Sequence, residues 1–212
     1  MLYLKSFTFN PFEENTYVLY DENSEAFIFD PGNYTSTEGE ALKTFIAEKG
    51  LHPKRLLLTH AHIDHVLGCR FVFDNYGLLP EVHKSDLPVL QRMSESAMRF
   101  GISCEAAPLP EKYIEDGEVI MLGSYALECI FVPGHSPGSI AFYNRTNKFV
   151  IGGDVLFNGS IGRTDLPGGD HATLISSIKN RLFALNDDVK VFCGHGPSTT
   201  VGHERQTNPF VR

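Results

Sequence analysis

A short run with the sequence HAHIDH constrains the fold and function of this chain more than any other feature, because it places four potential metal ligands side by side. His60 and His62 are two residues apart, so on an extended backbone their imidazole rings point the same way. Asp64 and His65 follow at once, and imidazole and carboxylate are ligands that zinc, iron and manganese share. The apolar segment 55–58 before the run predicts a buried strand. We therefore expect the run to lie in a loop at the end of that strand.

Three later positions share a second pattern, in which an apolar segment is followed by glycine and then by a histidine or an aspartate. They are His135, Asp154 and His195. Glycine allows the backbone to turn sharply and to approach a ligand closely. Because the three positions follow three predicted strands in the same way, we expect the ends of these strands to meet the HAHIDH run in one pocket.

The remaining histidines lack this context, and we expect them to lie outside the metal site. They are His52, His83, His171 and His203. His171 is expected at the start of a helix that Asp170 caps, in a loop that borders the pocket.

Periodicity and turn residues predict the secondary structure of the chain. Strands are predicted over 2–9, 16–20, 26–29, 55–58, 118–122, 125–132, 139–143, 149–152 and 189–193, and helices over 36–49, 65–73, 85–98 and 172–185. Strands in two groups, each followed by helices, indicate two sheets packed face to face with helices outside. No linker-like segment divides the 212 residues, so we expect one domain spanning 1–212.

Composition excludes several classes of partner. The net charge of -8 argues against a nucleic-acid partner, because phosphate binding depends on clusters of lysine and arginine. No apolar run approaches the roughly 20 residues of a membrane span, and the first residues lack the pattern of a secretion signal. The four cysteines form no CxxC pair, which is typical of free thiols in a reducing compartment. We expect a cytoplasmic protein with no membrane partner.

The HAHIDH run resembles the HxHxDH signature of the metallo-β-lactamase superfamily, and the resemblance covers essentially the whole chain. It implies an α+β fold, the αββα four-layer sandwich, with the site at one edge of the two sheets. It also implies two divalent metal ions, with zinc expected and iron and manganese as alternatives. The implied ligands are His60, His62 and His135 for one metal and Asp64, His65 and His195 for the other, with Asp154 bridging the two.

Such a pair of metals would supply a nucleophile without a serine or cysteine, because a bound cation lowers the pKa of water from about 15.7 to near 7. Asp64 would act as a catalytic residue that ligates one metal and orients the resulting hydroxide. No nucleophile motif of the Gly-x-Ser-x-Gly type is present. The residues alone therefore favour hydrolysis of an acyl compound or a phosphoester without choosing between them.

Segment 153–165 resembles the glyoxalase II branch of the superfamily, which cleaves S-lactoylglutathione and related thioesters. The resemblance implies a small-molecule thioester, such as a glutathione conjugate, as the substrate. The thiolate that leaves has a low basicity, with a thiol pKa of about 8.5, so no strong general acid is required. Arg163 matches the basic residue with which these enzymes bind the glycyl carboxylate of glutathione, and a surface ion pair with Asp165 is the equal alternative.

Two features differ from the long glyoxalase II enzymes. We expect no counterpart of their C-terminal helical domain, because the sequence reaches only Arg212, and Asp165 stands where they have a tyrosine. Segment 162–165 also resembles persulfide dioxygenases, whose single iron would fall on His60, His135 and Asp154. That activity is the main alternative to thioester hydrolysis, and hydrolysis of another small ester or lactone is a further one. Cleavage of β-lactams or phosphodiesters is less favoured.

Overall fold

The computed structural model describes residues 1–211, in which two sheets lie face to face. The strands, in chain order, are β1 (Leu2–Phe9), β2 (Glu14–Asp21), β3 (Glu25–Phe29), β4 (His52–Leu57), β5 (Pro80–Glu81), β6 (Val119–Leu122), β7 (Tyr125–Phe131), β8 (Ile140–Asn144), β9 (Phe149–Gly153), β10 (Leu156–Phe157), β11 (Ser160–Ile161), β12 (Lys190–Cys193) and β13 (Thr199–Thr200). The first sheet has the order β1-β2-β3-β4-β5, and the second has the order β13-β12-β9-β8-β7-β6. Strands β10 and β11 pair with each other as a separate antiparallel hairpin.

Helices cover the outer faces of both sheets. They are α1 (Ser36–Glu48), α2 (Ile63–Val66), α3 (Cys69–Tyr76), α4 (Leu87–Gln91), α5 (Met93–Arg99), α6 (His171–Ser177) and α7 (Val201–Thr207). Helices α1 to α5 contribute to an apolar cluster with the first sheet, and α6 and α7 contribute to one with the second sheet. No helix within residues 1–211 has both the length and the apolar character that crossing a bilayer requires.

Alternation of side chains along the strands produces three apolar layers. Ile28 of β3 belongs to the cluster under helices α1 to α5, whereas its neighbours Phe27 and Phe29 belong to the cluster between the two sheets. This is the two-residue period of an extended chain that is buried on both faces. Phe29 meets Phe142 of the second sheet with ring centroids 5.1 Å apart. The arrangement confirms the predicted αββα sandwich.

Three predicted helices are interrupted. The helix predicted over 65–73 is instead α2 and α3, which are separated at Gly68, where the backbone amide donates to the Pro31 carbonyl at 2.7 Å. The helix predicted over 85–98 is instead α4 and α5, which are separated at Arg92, where the dihedral angles (φ -92°, ψ 11°) are not helical. A 3-10 turn over Lys84–Asp86 precedes α4. The helix predicted over 172–185 ends at Ser177 and continues as one π-helical turn over Ile178–Leu182.

The elements that the sequence did not predict are short. They are β5, the β10-β11 hairpin, β13 and the seven-residue helix α7. A two-residue strand leaves no detectable period in a sequence. Two predicted local features are confirmed: the side chain of Asp170 accepts from the amide of Thr173 at 2.8 Å and so caps α6, and all four cysteines are free.

Candidate metal centre

The structure brings all seven predicted site residues together at one edge of the two sheets. They fall into two groups, His60, His62 and His135 in one, and Asp64, His65, Asp154 and His195 in the other. Within each group the potential ligand atoms lie within 4.8 Å of one another. The edge is shared because β4, β9 and β12 each end there.

The first group is a triangle of imidazole rings. The Nε2 atom of His135 lies 3.2 Å from Nε2 of His60 and 2.8 Å from Nδ1 of His62. His60 and His135 are buried, and His62 lines a cavity that opens from the site. Burial, with the neighbouring imidazole of His135, lowers the pKa of His62 to about 3. Burial likewise lowers the pKa of His60 well below its ordinary value, so both rings are neutral, the form that binds metals.

The second group is built around the carboxylate of Asp154. Its Oδ1 atom lies 3.3 Å from Nε2 of His65, and its Oδ2 atom lies 3.4 Å from Nε2 of His195. The same Oδ2 atom is 3.6 Å from Nε2 of His135, so Asp154 reaches both groups. Asp64 completes the second group, with Oδ2 3.1 Å from Nε2 of His195. A carboxylate placed between the two groups in this way could contribute a ligand to a cation held by either of them.

Backbone carbonyls orient two of the rings. The Nδ1 atom of His135 lies 2.8 Å from the Arg163 carbonyl oxygen, and Nδ1 of His195 lies 2.9 Å from the Phe12 carbonyl oxygen. A carbonyl oxygen can only accept, so each Nδ1 carries the proton. With Nδ1 committed to a carbonyl, both Nε2 atoms face into the site, the arrangement found in metal-binding histidines that donate their other N–H to the protein.

Asp30 and Thr59 orient the remaining buried rings. Asp30 accepts from the Thr59 amide at 2.7 Å and from the Thr59 hydroxyl at 2.6 Å, and it also lies 3.2 Å from Nδ1 of His65. Because the Thr59 hydroxyl donates to Asp30, its lone pair is free to accept from Nδ1 of His60, 3.1 Å away. The Nε2 atoms of both histidines consequently face the site. The sequence pattern Asp-Pro-Gly after a strand was the available signal for Asp30.

The donor set fits a pair of cations. The Nε2 atom of His65 and the Oδ1 atom of Asp154 are buried without a hydrogen-bond partner, which is costly unless a ligand satisfies them. Burial opposes protonation of His195, but the hydrogen bonds and charges of Asp154 and Asp64 outweigh it and raise the pKa of His195 to about 10. The site thus favours positive charge. Nitrogen and carboxylate donors suit zinc, iron and manganese, so the two groups are suited to a dinuclear centre.

Asp86 connects the two loops that carry the first group, and sequence reasoning missed it. Its Oδ2 atom accepts from the Ala61 amide at 2.6 Å, between the two histidines of the HAHIDH run. Its Oδ1 atom accepts from the Ser136 hydroxyl and from the Gly138 amide, each at 2.6 Å, just after His135. Asp86 is fully buried, so these three bonds account for its carboxylate. Asp86 therefore holds the loop of His60 and His62 in a fixed position relative to the loop of His135.

Asn15 of the first sheet anchors the loop of His195. Its backbone amide donates to the Gly194 carbonyl at 2.7 Å, and its side-chain Nδ2 donates to the carbonyls of Cys193 and Gly196 at 3.1 and 2.9 Å. The bonds lie on both sides of His195. One strand of the first sheet thereby positions a ligand that follows a strand of the second sheet.

Two of the glycines beside ligands are required by space and conformation. A Cβ atom at Gly194 would overlap Oδ1 of Asp154 and would lie 2.8 Å from Cε1 of His65. Gly153 has a φ of +53°, and a Cβ atom there would overlap the Thr59 hydroxyl. These positions support the sequence-based expectation that glycine allows a close approach at the site.

A cavity of about 700 Å³ opens from the two groups, and His62, Asp64, His135, Asp154 and His195 form one part of its wall. Arg163 lines the cavity and is also bound to Asp165 through two hydrogen bonds of 2.7 Å. Both side chains are exposed. The position of Arg163 therefore allows both alternatives that the sequence left open, contact with a substrate in the cavity and an ion pair at the surface.

The other histidines lie outside both groups, as predicted. Within residues 1–211 the candidate ligand groups contain none of His52, His83, His171 and His203. His83 stacks on Phe131 with ring centroids 4.4 Å apart, and His171 begins α6 behind its cap.

Comparison with known proteins agrees with this geometry. The family model described as the Metallo-beta-lactamase superfamily matches residues 9–195. Hydroxyacylglutathione hydrolase GloC of Haemophilus influenzae is 40% identical over 202 residues, which cover 94% of this chain and 93% of that protein. The BLEG-1 B3 metallo-beta-lactamase superimposes with a TM-score of 0.90 at 36% identity, over 99% of both chains. TTHA1623, solved in a di-iron-bound form, superimposes with a TM-score of 0.88 at 37% identity, over 97% of this chain and 99% of that one.

Proposed function

The chain belongs to the metallo-beta-lactamase superfamily, and on that premise we propose that it is a metal-dependent thioester hydrolase of the glyoxalase II type, acting on S-acylglutathione compounds such as S-lactoylglutathione. The observation that carries the proposal is the pair of ligand groups joined by Asp154 beside a ligand-sized cavity. The likeness to a hydroxyacylglutathione hydrolase over nearly the whole chain supports the choice of substrate.

Two divalent cations held by these groups would supply an activated water as nucleophile and would polarise the carbonyl of the substrate. The protein residues orient the reactants. Asp64 lines the cavity with a carboxylate 3.1 Å from His195, from where it can orient the attacking water. The backbone carbonyls of Phe12 and Arg163 hold the imidazoles of His195 and His135 in the required tautomer.

The cavity suits a substrate whose leaving group needs no protonation. Within residues 1–211 no lysine, tyrosine or cysteine lines it, and its one glutamate, Glu95, is paired with Arg99 at 2.5 Å. An alkoxide or amine would require a general acid in this position, whereas a thiolate does not. Apart from the candidate metal ligands, the described part of the cavity thus offers no free acid, which is compatible with a thiolate leaving group.

Arg163 is proposed to bind the glycyl carboxylate of the thiol carrier. It lines the cavity, and a guanidinium can form two parallel hydrogen bonds to a carboxylate. The substrate would take the place that Asp165 now occupies, with the same two-bond geometry. We further propose that the enzyme acts on small molecules in the cytoplasm.

A persulfide dioxygenase with a single iron is the alternative. His60, His135 and Asp154 lie close together, with 3.2 and 3.6 Å separating their facing atoms, so they could hold one iron. The second group, with its unpartnered His65 Nε2 atom, favours two metals instead.

Parallel assays of the metal-loaded protein test the proposal. We expect loss of S-lactoylglutathione, without oxygen uptake on glutathione persulfide and without cleavage of a chromogenic β-lactam. His62→Ala should abolish turnover, and His52→Ala, which alters a histidine outside the site, should not. Oxygen uptake with glutathione persulfide in the absence of thioester cleavage would establish the alternative activity.

A further inference from the structure

One face of helix α5 and the turn before it form a wall of the cavity. Arg92, Glu95, Ser96, Arg99 and Phe100 all line it, and their spacing of three, four, seven and eight residues from the first is that of a single helix face. The opposite face is anchored in the core, where two side chains, Met93 and Ala97, are each 2% exposed. The helix therefore presents a fixed row of polar and aromatic groups to whatever fills the cavity.

Much of the remaining wall is apolar. Phe100 meets Phe12 edge to face with ring centroids 5.3 Å apart, although Phe100 is 49% exposed. Ile63 and Val89 also line the cavity, and Phe157 lines it from the β10-β11 hairpin. Apolar surface held open to water is stabilised when an apolar ligand group covers it.

Within the described residues 1–211 three arginines line the cavity, and they differ in their partners. Arg99 is bound to Glu95 at 2.5 Å, and Arg163 is bound to Asp165. Within residues 1–211 no acidic side chain is ion-paired with Arg92. An exposed guanidinium beside an apolar wall is free to receive a carboxylate from the ligand.

We propose that the cavity binds glutathione thioesters whose acyl group is apolar and larger than lactoyl, and that Arg92 binds the γ-glutamyl carboxylate of the thiol carrier while Arg163 binds the glycyl one. The proposal rests on the proposed function and narrows its substrate class. A lactoyl group has three carbons and a hydroxyl, too little apolar surface to cover Phe12, Phe100 and Val89. A cavity of about 700 Å³ is of the size that encloses a whole small-molecule ligand.

Binding of glutathione thioethers, which the enzyme cannot cleave, tests the apolar part directly. Calorimetry with the metal-loaded protein should show S-hexylglutathione binding at least tenfold more tightly than S-methylglutathione, since each fully buried methylene contributes about fourfold. Phe100→Ala should remove most of this difference. Met98→Ala, a control on the same helix whose side chain is 72% exposed and outside the cavity, should preserve it. Equal affinity for the two thioethers would overturn the proposal.

The role of Arg92 is tested with the same probe. Arg92→Ala should weaken binding of S-hexylglutathione about tenfold and should leave binding of its ethyl ester at the γ-glutamyl α-carboxylate unchanged, because that ester lacks the carboxylate assigned to Arg92. Arg145→Ala removes an arginine that is outside the cavity and should change neither. If Arg92→Ala weakens the binding of S-hexylglutathione and of its ester equally, or weakens the binding of neither, the assignment of Arg92 is wrong.

Turnover separates this proposal from the function on which it rests. We expect kcat/KM to be at least tenfold higher for S-hexanoylglutathione than for S-lactoylglutathione. Hydrolysis that favours the lactoyl compound would overturn the narrower substrate class and leave thioester hydrolysis in place. Failure to hydrolyse any glutathione thioester would overturn the proposed function itself.

Discussion

Asp86 and Ser136 are 50 residues apart in the chain, yet the Ser136 hydroxyl donates a 2.6 Å hydrogen bond to the buried Asp86 carboxylate. Ser136 directly follows His135, and the same carboxylate accepts from the amide of Ala61 between His60 and His62. One side chain therefore sets the distance between the two loops that contribute the first ligand group. Its contribution to the site is positional, since within residues 1–211 it belongs to none of the candidate ligand groups.

We predict that Asp86→Asn lowers metal affinity by about 10- to 100-fold, the range usual for residues that orient metal ligands. The amide oxygen can accept from Ser136 and Gly138, but its NH₂ group would face the Ala61 N–H. Both of these groups are donors and would be left unmet, and each unmet buried donor costs about 1–3 kcal/mol. Competition with a chromophoric chelator measures the affinity, and thermal unfolding measures stability. Asp188→Asn, at an exposed aspartate, serves as the control. Wild-type metal affinity in a less stable Asp86→Asn protein would reduce Asp86 to a purely structural role.

Gly194→Ala is expected to disable the site by displacing the bridging carboxylate. The added methyl group would overlap Oδ1 of Asp154, so either the carboxylate or the His195 loop must move. We expect loss of most activity and a fall in bound metal per chain. Gly152→Ala is the matched control, because its nearest contact would be an ordinary 3.4 Å from Val191. Equal activity of the two variants would show that the tight packing at Gly194 is dispensable.

Asn15→Ala is expected to weaken the second group selectively. Without its Nδ2 donor, the Gly196 carbonyl loses its side-chain partner and the Cys193 carbonyl keeps only the Tyr17 hydroxyl, so the loop of His195 is held less firmly. Metal bound per chain should fall from two toward one. Asn75→Ala, at an exposed helical asparagine, should keep both metals. If Asn15→Ala retains two tightly bound metals, the hydrogen bonds of the Asn15 side chain are not needed to position His195.

The ion pair of Arg163 and Asp165 provides a two-sided test of substrate contact. Arg163→Ala should raise KM for glutathione thioesters several-fold with kcat little changed, because it removes binding that is equal in ground state and transition state. Asp165→Asn should lower KM, since it releases the guanidinium. Small thioesters without a carboxylate should respond to neither change. Melting temperatures should stay constant because the pair is exposed. KM values that are unchanged in both variants would make the pair a surface feature.

The positions that meet at the site could be predicted because their signals are local. The HAHIDH run and the pattern of glycine before histidine or aspartate are read within a few residues of a strand end. The strands were predictable for the same reason, since alternation is visible in any stretch of five or more residues. Metal binding by the seven residues is a prediction that metal titration tests.

The residues that orient the ligands could not be predicted in this way. Asp86 and Asn15 bind mainly backbone amides and carbonyls, which every residue supplies, so no sequence pattern marks their partners. The interrupted helices have a related cause. The apolar periodicity of the sequence continues through Gly68 and Arg92, so it does not reveal the breaks. In the structure the backbone leaves the helical conformation at both positions.

Metal titration of the metal-free protein, followed by thioester hydrolysis at each step, tests the central claim most directly. If Asp154 joins two metal sites, binding should saturate at two ions per chain, and activity on S-lactoylglutathione should appear mainly with the second equivalent. Asp154→Ala should remain folded and inactive at any metal concentration. Full activity without added metal, or in Asp154→Ala, would contradict the account, as would saturation at one ion with oxygen uptake on glutathione persulfide.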